Sequence, residues 1–200
     1  MPHALWFITC LFTSAACLAT LTASASASLI ITAQESGSDV VFSYTGSIDL
    51  ASAGAPDTGS SAGQFINPSI PSLSFRIFSS PQGDRYSLPS HSWSVFGSGN
   101  ATTASSSSGD ILRLFGGTQI TLPSGYVSNA PLSGTMTFVG QSFSSLGITP
   151  GDYVWDLQFT GGPGQTATIS VVPEPSTVYG LLAFLAMTGS AKLLRNKQSH

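Results

Sequence analysis

"DYVWDLQF", residues 152–159, sets Tyr153, Trp155, Leu157 and Phe159 against Asp152, Val154, Asp156 and Gln158. Side chains alternate across a pleated strand, so this is the pattern of a strand with one buried face and one wet face. The same period of two runs outward in both directions. Downstream, "QTATISVV" (165–172) alternates Ala167, Ile169 and Val171 with Thr166, Thr168 and Ser170. Upstream, "DVVFSYTGSIDL" (39–50) puts Val40, Phe42 and Tyr44 on one face, with Val41, Ser43 and Thr45 on the other. Shorter strand candidates are "SLSFRIF", "SWSVF", "ILRLF", "TQITL" and "TMTFVG". Clusters of Gly, Pro, Ser and Asn separate them at the spacing of all-β domains. No interior segment keeps a helical period, and no repeat of fixed length recurs. The expected fold is mainly β, an antiparallel β-sandwich or jelly-roll-like domain spanning residues 28–172.

Composition narrows the function classes. Charged residues make up 8% of the 200-residue chain, against about 25% in typical soluble domains. Ser, Thr and Gly therefore supply the polar surface. Between residues 28 and 172, three arginines (Arg76, Arg85, Arg113) face eight carboxylates, a net charge of −5. Nucleic-acid binding needs clustered Lys and Arg to neutralise phosphates, and this domain offers no such cluster. Two stretches, 51–63 and 97–110, are small and polar; they read as long surface loops, since they bury too little apolar area to offset chain entropy. Within the second, Asn100-Ala101-Thr102 matches a glycosylation acceptor.

The first 27 residues read as a signal peptide. An apolar stretch from Leu5 to Leu21 gives way to small residues, and Ala25-Ser26-Ala27 fits the small-x-small cleavage pattern. Cleavage after Ala27 leaves Ser28 as the new first residue; cleavage after Ala25 fits the same pattern. The leading region has no Lys or Arg, so an uncut signal anchor is the alternative. Both cysteines, Cys10 and Cys17, lie in this segment. The mature domain then has no disulfide, no thiolate nucleophile and no thiolate metal site. A lipid attachment at Cys17 is disfavoured, because apolar sequence continues beyond it and no Leu precedes it by three positions.

A catalytic set is hard to assemble. His91 is the only histidine between the signal and the last residue, and no nucleophile elbow of the G-x-S-x-G kind is expected to supply a serine for it. One histidine without cysteines makes a poor zinc site. Asp152 and Asp156 share a strand face, but four residues separate their Cα atoms by about 13 Å. Glycosidase carboxylates stand roughly 5 to 9.5 Å apart, so edge charges that oppose aggregation are the better account. Asp39, Asp49 and Asp57 lack the ligand spacing of a calcium loop. The expectation is a non-catalytic protein with no cofactor and no metal.

The C-terminus is the most informative segment. Pro173 lacks an amide donor and ends a ladder, while Pro175 favours extension in Glu174. Ser176 or Thr177 can then cap a helix. Residues 176–191 are sixteen uncharged positions, about 24 Å of helix. The bilayer core is about 30 Å thick, and Leu193 and Leu194 extend the span if Lys192 snorkels. A single transmembrane helix over about 177–194 is expected, with Lys192, Arg195 and Lys197 in a cytoplasmic basic tail (192–200).

Val172-Pro173-Glu174-Pro175-Ser176, an apolar helix and a basic tail together resemble a PEP-CTERM sorting signal, here residues 173–200. "DVVFSYTGSIDL" and "SFSSLGITPGDYVWDLQF" are also similar to segments common in PEP-CTERM proteins. The resemblance implies export in a Gram-negative bacterium, a transient inner-membrane anchor, and processing by the partner exosortase. Pro173, Glu174 and Pro175 would be the recognition element. It further implies delivery to the cell surface or extracellular matrix, where exopolysaccharide is the expected associate. A carbohydrate-binding or carbohydrate-active β-sandwich is the alternative, with Trp93, Tyr86, Tyr126 or Trp155 available to stack on sugar rings.

Overall fold

The computed structural model describes residues 27–58, 63–75 and 83–173. The remainder of the expected signal peptide, Glu174, Pro175, the helix at 177–194 and the tail residues Lys192, Arg195 and Lys197 lie outside the described residues. Among the described residues no helix is long and apolar enough to cross a membrane.

Two sheets hold the fold. The first has six strands in the order β12 (Gly151–Asp156), β13 (Thr166–Val172), β1 (Ser28–Ser36), β2 (Asp39–Gly46), β11 (Leu132–Phe138) and β8 (Ser106–Gly109). The second has seven, in the order β3 (Asp57–Thr58), β6 (Asp84–Ser87), β10 (Gln119–Leu122), β9 (Arg113–Phe115), β5 (Ser72–Ser74), β4 (Phe65–Asn67) and β7 (Thr102–Thr103). Every described strand pairing is antiparallel except β1 with β13, which run parallel. The chain is mainly β, as its alternation predicts.

Both sheets turn their apolar faces onto one core. Leu29, Ile31, Phe42, Tyr44, Met136, Ile169 and Trp155 come from the first sheet; Ile66, Leu73, Leu114, Ile120 and Leu122 come from the second. Tyr44 meets Phe75 across the gap at 4.6 Å between ring centroids. The faces read from sequence hold for the long strands: Val40, Phe42, Tyr44, Trp155, Ala167, Ile169 and Val171 are all buried. A sandwich is the arrangement that removes two such faces from water at once.

Two sequence expectations need correction. Neither long polar stretch is simply a loop, for 51–63 supplies β3 to the second sheet, and 97–110 supplies β7 to the second sheet and β8 to the first. Each is held by backbone hydrogen bonds at a sheet edge, which composition does not register. "SWSVF" forms no strand. Trp93 and Phe96 anchor it through side chains instead: the Trp93 indole stacks on Trp155 at 4.7 Å with 1° between the planes. The Trp93 N–H donates to the Asp156 carbonyl at 2.7 Å, and the Trp155 N–H donates to the Ser94 carbonyl at 2.9 Å. Neither buried indole leaves its donor unmet.

One short helix, α1 (Phe143–Leu146), joins β11 to β12. Ser142 and Ser145 exchange side-chain and backbone hydrogen bonds as a capping box, and Gly147 closes the other end with φ 64°. The Phe143 amide donates to Glu35 Oε1 at 2.6 Å, tying the helix to the end of β1.

Candidate functional site

Ala27 and Pro173, the first and last described residues, sit at opposite poles of the first sheet. In the parallel β1–β13 pair, Ser28 stands opposite Thr166 and Gln34 opposite Val172. Six steps along a strand is roughly 20 Å. Ala27 is buried at one pole, where the Ser28 carbonyl accepts from the Ser47 amide at 3.1 Å. Pro173 is exposed at the other, one residue beyond the last ladder position. β13 stops where proline removes the next donor.

The carboxylates singled out in the sequence are occupied with structural tasks. Asp39 accepts from the Gly140 amide at 2.9 Å and from the Ser38 hydroxyl at 3.1 Å. Asp49 accepts from the Ala51 amide at 2.8 Å and the Ser128 hydroxyl at 3.0 Å. Asp57 pairs with Arg85 across β3 and β6, and the Arg85 hydrogen bond holds its carboxyl below the usual range. Asp152 and Asp156 lie on the exposed face of β12, an edge strand of the first sheet. Asp152 accepts from the Ser170 hydroxyl at 2.6 Å. Charge on an edge strand discourages pairing with another chain. Among the described residues no group of three His, Cys, Asp or Glu side chains is placed to hold a metal ion.

His91 sits over the end of β12. Its Nε2 lies 2.9 Å from the Gln158 carbonyl, so this nitrogen carries the proton and donates. Its Nδ1 is 3.5 Å from Asp156 Oδ2. The ring thus fastens the 91–96 segment to the chain just beyond β12 through the Gln158 carbonyl. The spacing G-x-S-x-G does occur once, at Gly59-Ser60-Ser61-Ala62-Gly63. The next described element is the strand β4 rather than the helix that a nucleophile elbow leads into; residues 59–62 lie outside the described residues.

The rings considered for sugar stacking are spent on the core. Trp155 is fully buried, and Trp93 and Tyr86 are 7% and 6% exposed. Tyr126 is half-buried, with its hydroxyl donating to the Ala130 carbonyl at 2.6 Å and accepting from the Ile48 amide at 3.0 Å. Burial raises the hydroxyl pKa of Tyr44 far above its ordinary value, with the Asp110 charge adding to it.

An accessible aromatic lies elsewhere. At the β4–β7 edge of the second sheet, Gly63, Gln64, Phe65, Ala101 and Thr103 line a cavity of about 360 Å³. Register places Phe65 opposite Thr103 on one side and opposite Ser74 on the other. Ile66 points inward and is buried, so Phe65 belongs to the outer face. Arg113 lies beyond Ser74, its guanidinium 5.8 Å from the Phe65 ring and 4.8 Å from the Phe115 ring. Gln64 is 7% exposed; its Nε2 donates to the Ala104 carbonyl at 3.4 Å, whereas its Oε1 has no partner. Sequence reasoning missed this site. A single Phe after a Ser/Gly stretch has no period, and only the neighbouring β7, itself invisible in composition, gives it a wall.

Set beside known proteins, the chain matches no family model, no curated protein and no solved structure.

Proposed function

We propose that this is an exported, non-catalytic surface or matrix protein that exosortase sorts and processes, and that it associates with exopolysaccharide. The observation that carries the proposal is the ordered sequence after β13: Pro173-Glu174-Pro175, sixteen uncharged residues, then Lys192, Arg195 and Lys197. On this reading residues 1–27 are a removable signal helix, and residues 177–194 form a single helix in the inner membrane. The basic tail stays in the cytoplasm. Support comes from the end of β13 at Val172, with Pro173 exposed one residue beyond it, so that the motif begins directly after the last described strand. The structural engagement of Asp39, Asp49, Asp57 and Asp152 also favours a protein that binds rather than reacts.

The alternative, a carbohydrate-binding β-sandwich, gains from the cavity beside Phe65 and loses Trp93, Tyr86 and Trp155 as stacking platforms. The motif can be tested directly by replacing Pro173, Glu174 and Pro175 with alanines in an exosortase-bearing host. The expected outcome is an uncut chain held in the inner-membrane fraction. Normal release to the surface would refute the sorting assignment.

A further inference from the structure

We infer that the cavity beside Phe65 is a binding site for a pyranose unit of a neutral polysaccharide. The inference rests on the exopolysaccharide part of the proposed function and gives it a location. The volume, about 360 Å³, lies at the low end of the range for small-molecule sites, roughly 300–1,000 Å³. It suits one end or one short stretch of a larger polymer. Because β7 is the last strand of its sheet, a chain bound here can continue past the edge.

The lining selects the ligand chemistry. None of the five lining residues is charged, and the domain around them carries a net charge of −5, which disfavours a uronic acid polymer. The aromatic face is electron-rich, and the C–H groups of a pyranose ring carry the complementary partial charge. Phe65 is held for that role: Arg113 flanks it from the β9 side, leaving the β7 side, where Thr103 and Ala101 stand, to the cavity. Thr103 is exposed and offers a hydroxyl that both donates and accepts. Gln64 backs the cavity with a side chain that is itself buried. Gly63 and Ala101 add walls without bulk.

The test is calorimetric titration of the full chain, in mild detergent, with maltohexaose, cellohexaose and mannohexaose, and with hexagalacturonate as the anionic control. Binding to at least one neutral hexamer is expected, weakened about tenfold by Phe65→Leu. Ala101→Trp, which fills the cavity from its β7 side, is expected to abolish it. Thermal melts of both variants verify that they fold. If a neutral hexamer binds and both folded variants bind it equally well, the site is not this cavity, although polysaccharide association stands. If no neutral hexamer binds, or only the galacturonate does, the inference is overturned. Exosortase processing is read separately, so its failure is distinguishable from either result.

Discussion

Two buried glutamines and two buried serines show how a single polar atom divides stability from function here. Gln165 is 2% exposed and fully engaged. Its Oε1 accepts from the Asp49 amide at 2.9 Å, and its Nε2 donates to the carbonyls of Asp49 at 3.1 Å and Leu157 at 3.3 Å. Gln165→Ala strands those backbone groups and is expected to cost about 2–3 kcal/mol in denaturant unfolding. Ser72 and Ser74 are fully buried with hydroxyls that meet no partner. Ser74→Ala is therefore expected to be neutral or to stabilise by up to about 1 kcal/mol. A loss comparable to that of Gln165→Ala would show that the serine hydroxyl is engaged.

Tyr44 adds a pH signature at the same scale. Its hydroxyl donates to the Asp110 carbonyl at 2.7 Å, and burial, followed by the Asp110 charge, raises its pKa. The folded chain keeps a proton that the unfolded chain gives up, so stability falls as pH rises above about 10. Tyr86 and Tyr126 shift in the same direction, also chiefly through burial. Melts from pH 8 to 11 are expected to decline at the alkaline end, and less steeply in Tyr44→Phe. An unchanged slope in that variant would contradict the assignment.

At the scale of elements, the contact that closes α1 is backbone on backbone. Gly147 closes α1 at φ 64°, and a Cβ there would lie 2.6 Å from the Gly99 backbone. Gly147→Ala therefore combines a left-handed conformation with a clash, and is expected to cost about 2–3 kcal/mol. A melting temperature matching the wild type would show that the 97–99 segment yields freely. The legibility of the fold comes from the same physics. β2 and β13 bury one face and β12 buries Trp155 with Tyr153 half-buried, so alternation exposes them in sequence. β7 and β8 contain Thr, Ser and Gly and are paired through backbone, which leaves no apolar trace. "SWSVF" alternates but buries Trp93 and Phe96, three apart, against Trp155. The site beside Phe65 was hidden for the reason β7 was: its second wall is a strand without a hydrophobic signature.

At the scale of the whole molecule, the parallel β1–β13 pair decides how the domain meets a membrane on the proposed sorting route. Pro173 leaves from the pole that carries the β1–β2 turn at Gly37 and Ser38, and Ala27 lies at the other pole with Val127 and Asn129. On that route only a few residues separate Pro173 from the proposed membrane helix at 177–194. The turn at Ser38 is then expected to face the bilayer, and Val127 to face away. With the cysteines confined to the signal segment, single replacements give a clean readout. Val127→Cys is expected to react with a bulky membrane-impermeant maleimide faster than Ser38→Cys in exosortase-deficient cells. Equal rates would contradict the proposed orientation.

The central claim is that exosortase cuts this chain close to Pro173. Its most direct test is the intact mass of the protein recovered from otherwise identical cells with and without exosortase. The account predicts that exosortase-bearing cells yield a surface form ending near residue 173 and lacking the apolar helix and basic tail. Cells without exosortase are predicted to yield a membrane-bound form that retains His200. The same C-terminus in both cells would contradict it.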